Sequence, residues 1–236
     1  MKSISLLAFA ATLALADNLC DQFAHTESNG YYANNNKWGD NLGTGTQCLS
    51  VDKMTTDGVS WSVDWTWSGN DDMTKAYPYA GRTLEEKKLV SAISTIPSQA
   101  DWGYSGDAVR ANVAYDMFTS SDPAHDTSSG EYEVMVWLGN DAKLWPVGTA
   151  GDVVKVAGKE WTLWDGLNGD MHVYSFVATE DQNSVDFDVK EFFDHLRDNK
   201  DYPVDSQYLT TLQLGTEPMT GGPAQFLVNW FSAEVN

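Results

Sequence analysis

The sequence is poor in the residues that build metal and redox centres. Its 236 residues include two cysteines and four histidines. Cys20 and Cys48 have no second cysteine or histidine at ligand spacing, and His25, His125, His172 and His195 show no such spacing among themselves. A zinc site is therefore not expected, and no metal or cofactor is called for. Basic residues are also scarce. Fourteen Lys and Arg stand against 34 Asp and Glu, a formal net charge of −20. A polyanion is a poor partner for such a chain, so nucleic acid is not expected. A neutral polymer or small neutral ligand fits better. GTGTQC has glycines but no following Lys-Ser/Thr, which argues against a phosphate loop. Nothing resembles a nucleophile elbow, and no N-x-Ser/Thr glycosylation site occurs. Beyond the N-terminus no segment approaches the ~20 apolar residues of a membrane helix, so a membrane partner is not expected either. No Pro/Ser/Thr linker, long charge run or internal repeat divides the chain.

What is present begins with MKSISLLAFAATLALA, a lysine, a short apolar run and a small-residue Ala14-Leu15-Ala16 end. This reads as a secretory signal peptide over residues 1–16, leaving one domain over 17–236 and a secreted, extracellular protein. In that oxidising setting Cys20 and Cys48 are expected to form one disulfide. A monomer is the simplest assembly.

Ten tryptophans and ten tyrosines are many for this length. Some are expected to fill a β core. Others would serve as flat platforms for sugar rings, whose C–H faces are apolar, and the tryptophans are divided about equally between the two uses. Short segments rich in Trp, Tyr, Val and Thr read as strands: WSVDWTWSG, VRANVAYDMF, EYEVMVWL, KEWTLWDG, MHVYSFVA, YLTTLQLG and AQFLVNWFSAEV. Their spacing argues for an antiparallel sandwich or barrel. DFDVKEFFDHLRDN breaks the pattern. Val189, Phe192, Phe193 and Leu196 follow helical spacing and predict one helix over about 188–198. His195 within it reads as a surface or packing residue. TLEEKKLVSAI carries some helical propensity.

Strand parity then separates the carboxylates. In EYEVMVWL, Tyr132, Val134, Val136 and Leu138 share a core-like face, and Glu131, Glu133, Met135 and Trp137 share the other. Asn112, Ala114 and Asp116 lie opposite Val113, Tyr115 and Met117. Thr211, Gln213 and Glu217 lie opposite Leu212 and Leu214. Glu133, Asp116 and Glu217 are thus candidates for a paired-carboxylate site, with Met135 and Trp137 positioned to desolvate Glu133. Pro218 restricts Glu217 to extended backbone. Two such carboxylates are what glycosidic cleavage requires, one as acid and one as nucleophile or base.

These segments together resemble the glycoside hydrolase family 12 endoglucanases. NGYYANNNKWG, GTGTQC, VSWSVDWTWSG, STIPSQADWGYSG, NVAYDMF, EYEVMVWLG, VYSFVA, FFDHLRDN and LGTEPMTGG match in order and spacing over nearly the whole chain after the leader. The resemblance implies a β-jelly-roll sandwich of two antiparallel sheets, with an open concave cleft and one helix on the convex side. It implies that Glu133 is the nucleophile, Glu217 the acid/base and Asp116 the group orienting the nucleophile. It also implies substrate contacts from Asn36, Trp38, Met135 and Trp137, and it pairs Cys20 with Cys48. The implied activity is retaining endo-β-1,4-glucanase action on cellulose-type or mixed-linkage glucans, without metal or cofactor. Xyloglucan hydrolysis and non-catalytic β-glucan binding are the alternatives. Three residues depart from the family pattern at positions expected to alter subsites: Ser62 replaces a histidine, Trp145 a glycine and Met219 a phenylalanine. Trp145 would either add a platform or fill part of the cleft.

Overall fold

The computed structural model describes residues 18–140 and 144–236. The expected signal peptide lies outside the described residues. In chain order the strands are β1 (Asn18–Leu19), β2 (His25–Ser28), β3 (Tyr31–Asn34), β4 (Thr44–Thr55), β5 (Gly58–Ser68), β6 (Tyr79–Arg82), β7 (Pro97–Gly106), β8 (Arg110–Ser120), β9 (Tyr132–Asn140), β10 (Thr149–Val156), β11 (Lys159–Asn168), β12 (Met171–Ala178) and β13 (Ser184–Asp188). Helix α1 (Lys190–Lys200), β14 (Tyr208–Leu209) and β15 (Gln213–Ala233) follow.

Two layers result. The outer layer runs β1-β4-β5-β15-β7-β13. The inner layer runs β2-β3-β6-β15-β8-β9-β12-β11-β10, with β14 on β8. β15 belongs to both. Gln213–Thr220 pairs with β6 and β8, and Ala224–Ala233 pairs with β5 and β7. Two segments that read as separate strands in the sequence are therefore largely one strand, bent at Gly221 and Gly222. Both glycines have positive φ, and a Cβ on Gly222 would come 2.4 Å from the Trp65 carbonyl. Only glycine lets the strand change layers there.

Alternation builds the core. Val59, Trp61, Val63, Trp65 and Trp67 of β5 point inward, as do Val134, Val136 and Leu138 of β9 and Tyr115 and Met117 of β8. Tyr115 bridges the layers, with its ring centroid 6.0 Å from that of Phe231. α1 closes one end of this core. Phe192 packs edge-on to Trp161 and Phe176, and burial of each such phenylalanine contributes about 1.5–3 kcal/mol. The helix starts two residues later than expected because Asp188 is still the last residue of β13, paired with Pro97, and its carboxylate accepts the Lys190 amide at 2.9 Å. His195 packs against Phe176, as a packing residue should. Cys20 and Cys48 are disulfide-bonded.

Two details differ from the sequence reading. Among the described residues the one parallel pair is β9 with β12, because β10, β11 and β12 form a meander that docks by its last strand. TLEEKKLVSAI yields only a 3-10 turn at Val90–Ala92. Its amides are committed elsewhere, Val90 to the Gln207 carbonyl and Ser91 to that of Val204, and Leu89 bridges Tyr208. Tertiary pairing has overridden a weak local propensity.

Candidate active site

The inner layer's free face is the floor of an open cleft of about 620 Å³. Parity places Asp116, Glu133 and Glu217 on it, from β8, β9 and β15. β8 lies between the other two strands, so Asp116 stands between the two glutamates' strands. Met135, Trp137, Met219, Ala114 and Leu144 form a small apolar cluster of their own on this side, separate from the main core. The Trp137 indole N–H points to the Met135 sulfur at 3.4 Å. Glu131 shares the parity of Glu133 but precedes β9. It is exposed and accepts the Ser121 amide and hydroxyl. The strand's starting point, rather than its parity, divides the two glutamates.

The carboxylates are desolvated and close enough to feel one another. Burial raises Glu133 to about 7; the charge of Glu217 pushes the same way, and a hydrogen bond with Asp116 pulls it down. Burial also raises Glu217 to about 7, opposed by a hydrogen bond from Asn112. Asp116 is pushed well above the usual carboxylate range, first by burial and then by both glutamates. The site's ionisation follows. Asp116 keeps its proton and donates it to the Glu133 carboxylate. Glu133 and Glu217 thus both stand at about 7, so the two glutamates give up their protons over the same pH range near neutrality.

Neighbouring groups fix this arrangement. Asn112 grips Glu217 twice: its Nδ2 donates to Glu217 Oε2, and its Oδ1 accepts the Glu217 amide at 3.0 Å. Tyr77 is buried beside all three carboxylates and donates to the Ala114 carbonyl at 3.0 Å. Gly215 makes room for it, since a Cβ there would come 2.9 Å from the Tyr77 ring. Gln213, the cross-strand partner of Asp116, donates to Tyr32 and Ser128. Buried Lys75 donates to the Asn70 and Met73 carbonyls, closing the loop that brings Met73 and Thr74 to the cleft. The sequence reading gave no role to Asn112, Tyr77 or Lys75. Asn112 was visible only as a polar residue sharing a face with Asp116; its partner lies 105 residues away.

Asn36 and Trp38 line the cleft beyond β3. Asn36 Nδ2 donates to the Tyr77 carbonyl at 3.0 Å, and Trp38 is half exposed. Met219 and Trp145 line it too. Ser62 does not. It lies between Trp61 and Val63 on β5, so it faces away from the core on the outer layer and reaches no subsite of this cleft. Five tryptophans, Trp61, Trp65, Trp67, Trp102 and Trp161, are buried in the main core, while Trp38, Trp137 and Trp145 line the cleft.

An aromatic-lined open groove floored by three desolvated carboxyl groups is the site of a polysaccharide hydrolase. Comparison with known proteins agrees. The model of glycosyl hydrolase family 12 matches residues 29–236. Endoglucanase A of Aspergillus kawachii is 43% identical over 99% of both chains. The xyloglucan-specific endo-beta-1,4-glucanase A of Aspergillus aculeatus is 38% identical over 99% of this chain and 97% of its own. The crystal structure of Trichoderma harzianum endoglucanase 3 superposes with a TM-score of 0.92 at 42% identity, covering 96% of this chain and all of that one. The chain belongs to glycosyl hydrolase family 12, and it is a glycoside hydrolase of β-1,4-glucans.

The double grip of Asn112 makes a prediction. Its Nδ2 lowers the Glu217 pKa, so Asn112→Ala raises it. The alkaline limb of kcat/KM should move to higher pH while the maximum falls. An unmoved limb in a pH–rate titration would contradict the assignment.

Proposed function

We propose that the protein is a secreted, retaining endo-β-1,4-glucanase. The observation that carries this reading is the convergence of three desolvated carboxyl groups, Asp116, Glu133 and Glu217, on the floor of one open cleft. Glu133, as carboxylate, attacks the anomeric carbon. Glu217, still protonated, donates its proton to the leaving glycosidic oxygen. The C–O bond breaks, and a covalent glycosyl ester on Glu133 forms. Glu217, now a carboxylate, takes a proton from water, which attacks the same carbon and releases Glu133. Two inversions give net retention. Asp116 acts as a positioning residue: its O–H holds Glu133 and favours the carboxylate over the acid. Tyr77 and Asn112 keep the floor rigid, and Met135 and Trp137 exclude water from Glu133.

The open groove suits attack within a chain, and its two exposed indoles suit unbranched cellulose-type or mixed-linkage glucan. The similarity to a protein named as xyloglucan-specific favours keeping xyloglucan as a second substrate. Initial rates on carboxymethyl cellulose, mixed-linkage β-glucan and xyloglucan test both. We expect mixed-linkage β-glucan to be fastest. A xyloglucan rate exceeding both others would replace the first reading with the second. The absence of reducing-sugar release from all three would leave a non-catalytic glucan binder.

A further inference from the structure

Trp145 is the most exposed large apolar side chain among the described residues, at 67%. It nevertheless has a fixed seat. Its ring stacks on Trp164 with centroids 5.9 Å apart and planes inclined by 25°. Trp164 is on β11 between Leu163 and Asp165. Because Trp161 and Leu163 point into the core, Trp164 points to the cleft face. One face of Trp145 is thus covered, and the other is open beside Pro146, Val147 and Met171, which line the same cleft.

Sheet order locates this seat relative to the chemistry. β11 lies two strands from β9, on the flank away from β3. At ~4.8 Å per strand the seat is about 10 Å to the side of the Glu133 strand. That is too far for the ring being cleaved, but within reach of a sugar further along the same chain. Trp38 lies on the opposite flank, after β3. A glucan strand threaded over the carboxylates would therefore meet an indole on either side. An indole that filled the groove instead would be covered by its walls, which the exposure of Trp145 excludes.

We propose that Trp145, supported by Trp164, is a sugar-stacking platform that binds a glucose unit of the β-1,4-glucan chain remote from the scissile bond. The occupant is the substrate chain itself, because the platform is continuous with the cleft. The inference rests on the glucanase reading above. It adds a binding position on the flank opposite Trp38, and it makes affinity depend on chain length.

The test is calorimetric titration with cellobiose, cellotetraose and cellohexaose, using Glu217→Gln protein with and without Trp145→Ala. A lost stacking contact weakens binding about three- to tenfold. The loss should appear with cellohexaose, be smaller with cellotetraose and vanish with cellobiose, and Trp145→Phe should recover most of it. Equal weakening for all three lengths, no weakening, or tighter binding on removal of the indole would overturn the platform. Hydrolysis of mixed-linkage β-glucan by the otherwise unaltered protein separates the two levels. If that protein cleaves the polymer while Trp145→Ala leaves length dependence intact, only the platform fails. If it neither cleaves nor binds glucan, the functional reading fails with it.

Discussion

Glu133→Gln should lower hydrolysis of polymeric β-glucan by at least about 10⁴-fold, because the amide cannot form the glycosyl ester. The same substitution should stabilise the protein, but only at higher pH. The folded-state pKa of Glu133 is about 7, above its ordinary value of 4.5. The folded state therefore holds this proton more tightly than the unfolded chain. The stabilisation from that proton is fully present below pH 4.5 and is lost as pH rises through 7. At pH 8 the unmodified protein carries a buried charge that the glutamine variant lacks, a difference of up to roughly 3 kcal/mol. Thermal melts should then show Glu133→Gln several degrees more stable at pH 8 and little changed at pH 4. A variant that kept near-normal turnover would exclude Glu133 as nucleophile. A variant that was inactive because it melted early at both pH values would show a structural residue instead.

The second large effect concerns Glu217. Glu217→Gln should cost about 10²–10⁴-fold on polysaccharide, the usual yield of general acid catalysis. The loss should shrink on an aryl cellobioside, whose leaving group departs without a proton. In the proposed mechanism Glu217 must be protonated for the first step, and burial raises its pKa to about 7. Activity on polysaccharide should therefore fall as pH rises through about 7, and Glu217→Gln should erase that limb. Equal losses on both substrates, with the alkaline limb retained, would move the acid role to another group.

Much of this site could be read before the fold was known, because strand alternation is a strict two-residue rule. Val134, Val136 and Leu138 had to face one way, and Glu133, Met135 and Trp137 the other. The same rule placed Asp116 beside Asn112, and Gln213 with Glu217. Family resemblance then singled out three acids among many. What stayed hidden depends on contacts between distant residues. No local signal told that Asn112 grips Glu217, that Gly215 clears space for Tyr77, or that Lys75 is buried to pin a loop. The long β15 was hidden by its own bend, since Gly221-Gly222 reads as a turn between strands. The parallel β9–β12 pairing followed from how a meander docks, which no single segment encodes. Ser62 was misplaced for a simpler reason. Its neighbours Trp61 and Val63 are core residues, so parity alone would have sent it to the outer surface.

The central claim is that Glu133 forms a covalent bond to the sugar. It is tested most directly by mass spectrometry after reaction with a 2-deoxy-2-fluoro-β-cellobioside that carries a good leaving group. Fluorine slows breakdown of the ester, so the intermediate accumulates. The mechanism predicts a single added glycosyl group on the peptide spanning residues 131–138, mapped to Glu133. An adduct on any other carboxylate, or turnover of this substrate with no adduct formed, would contradict it.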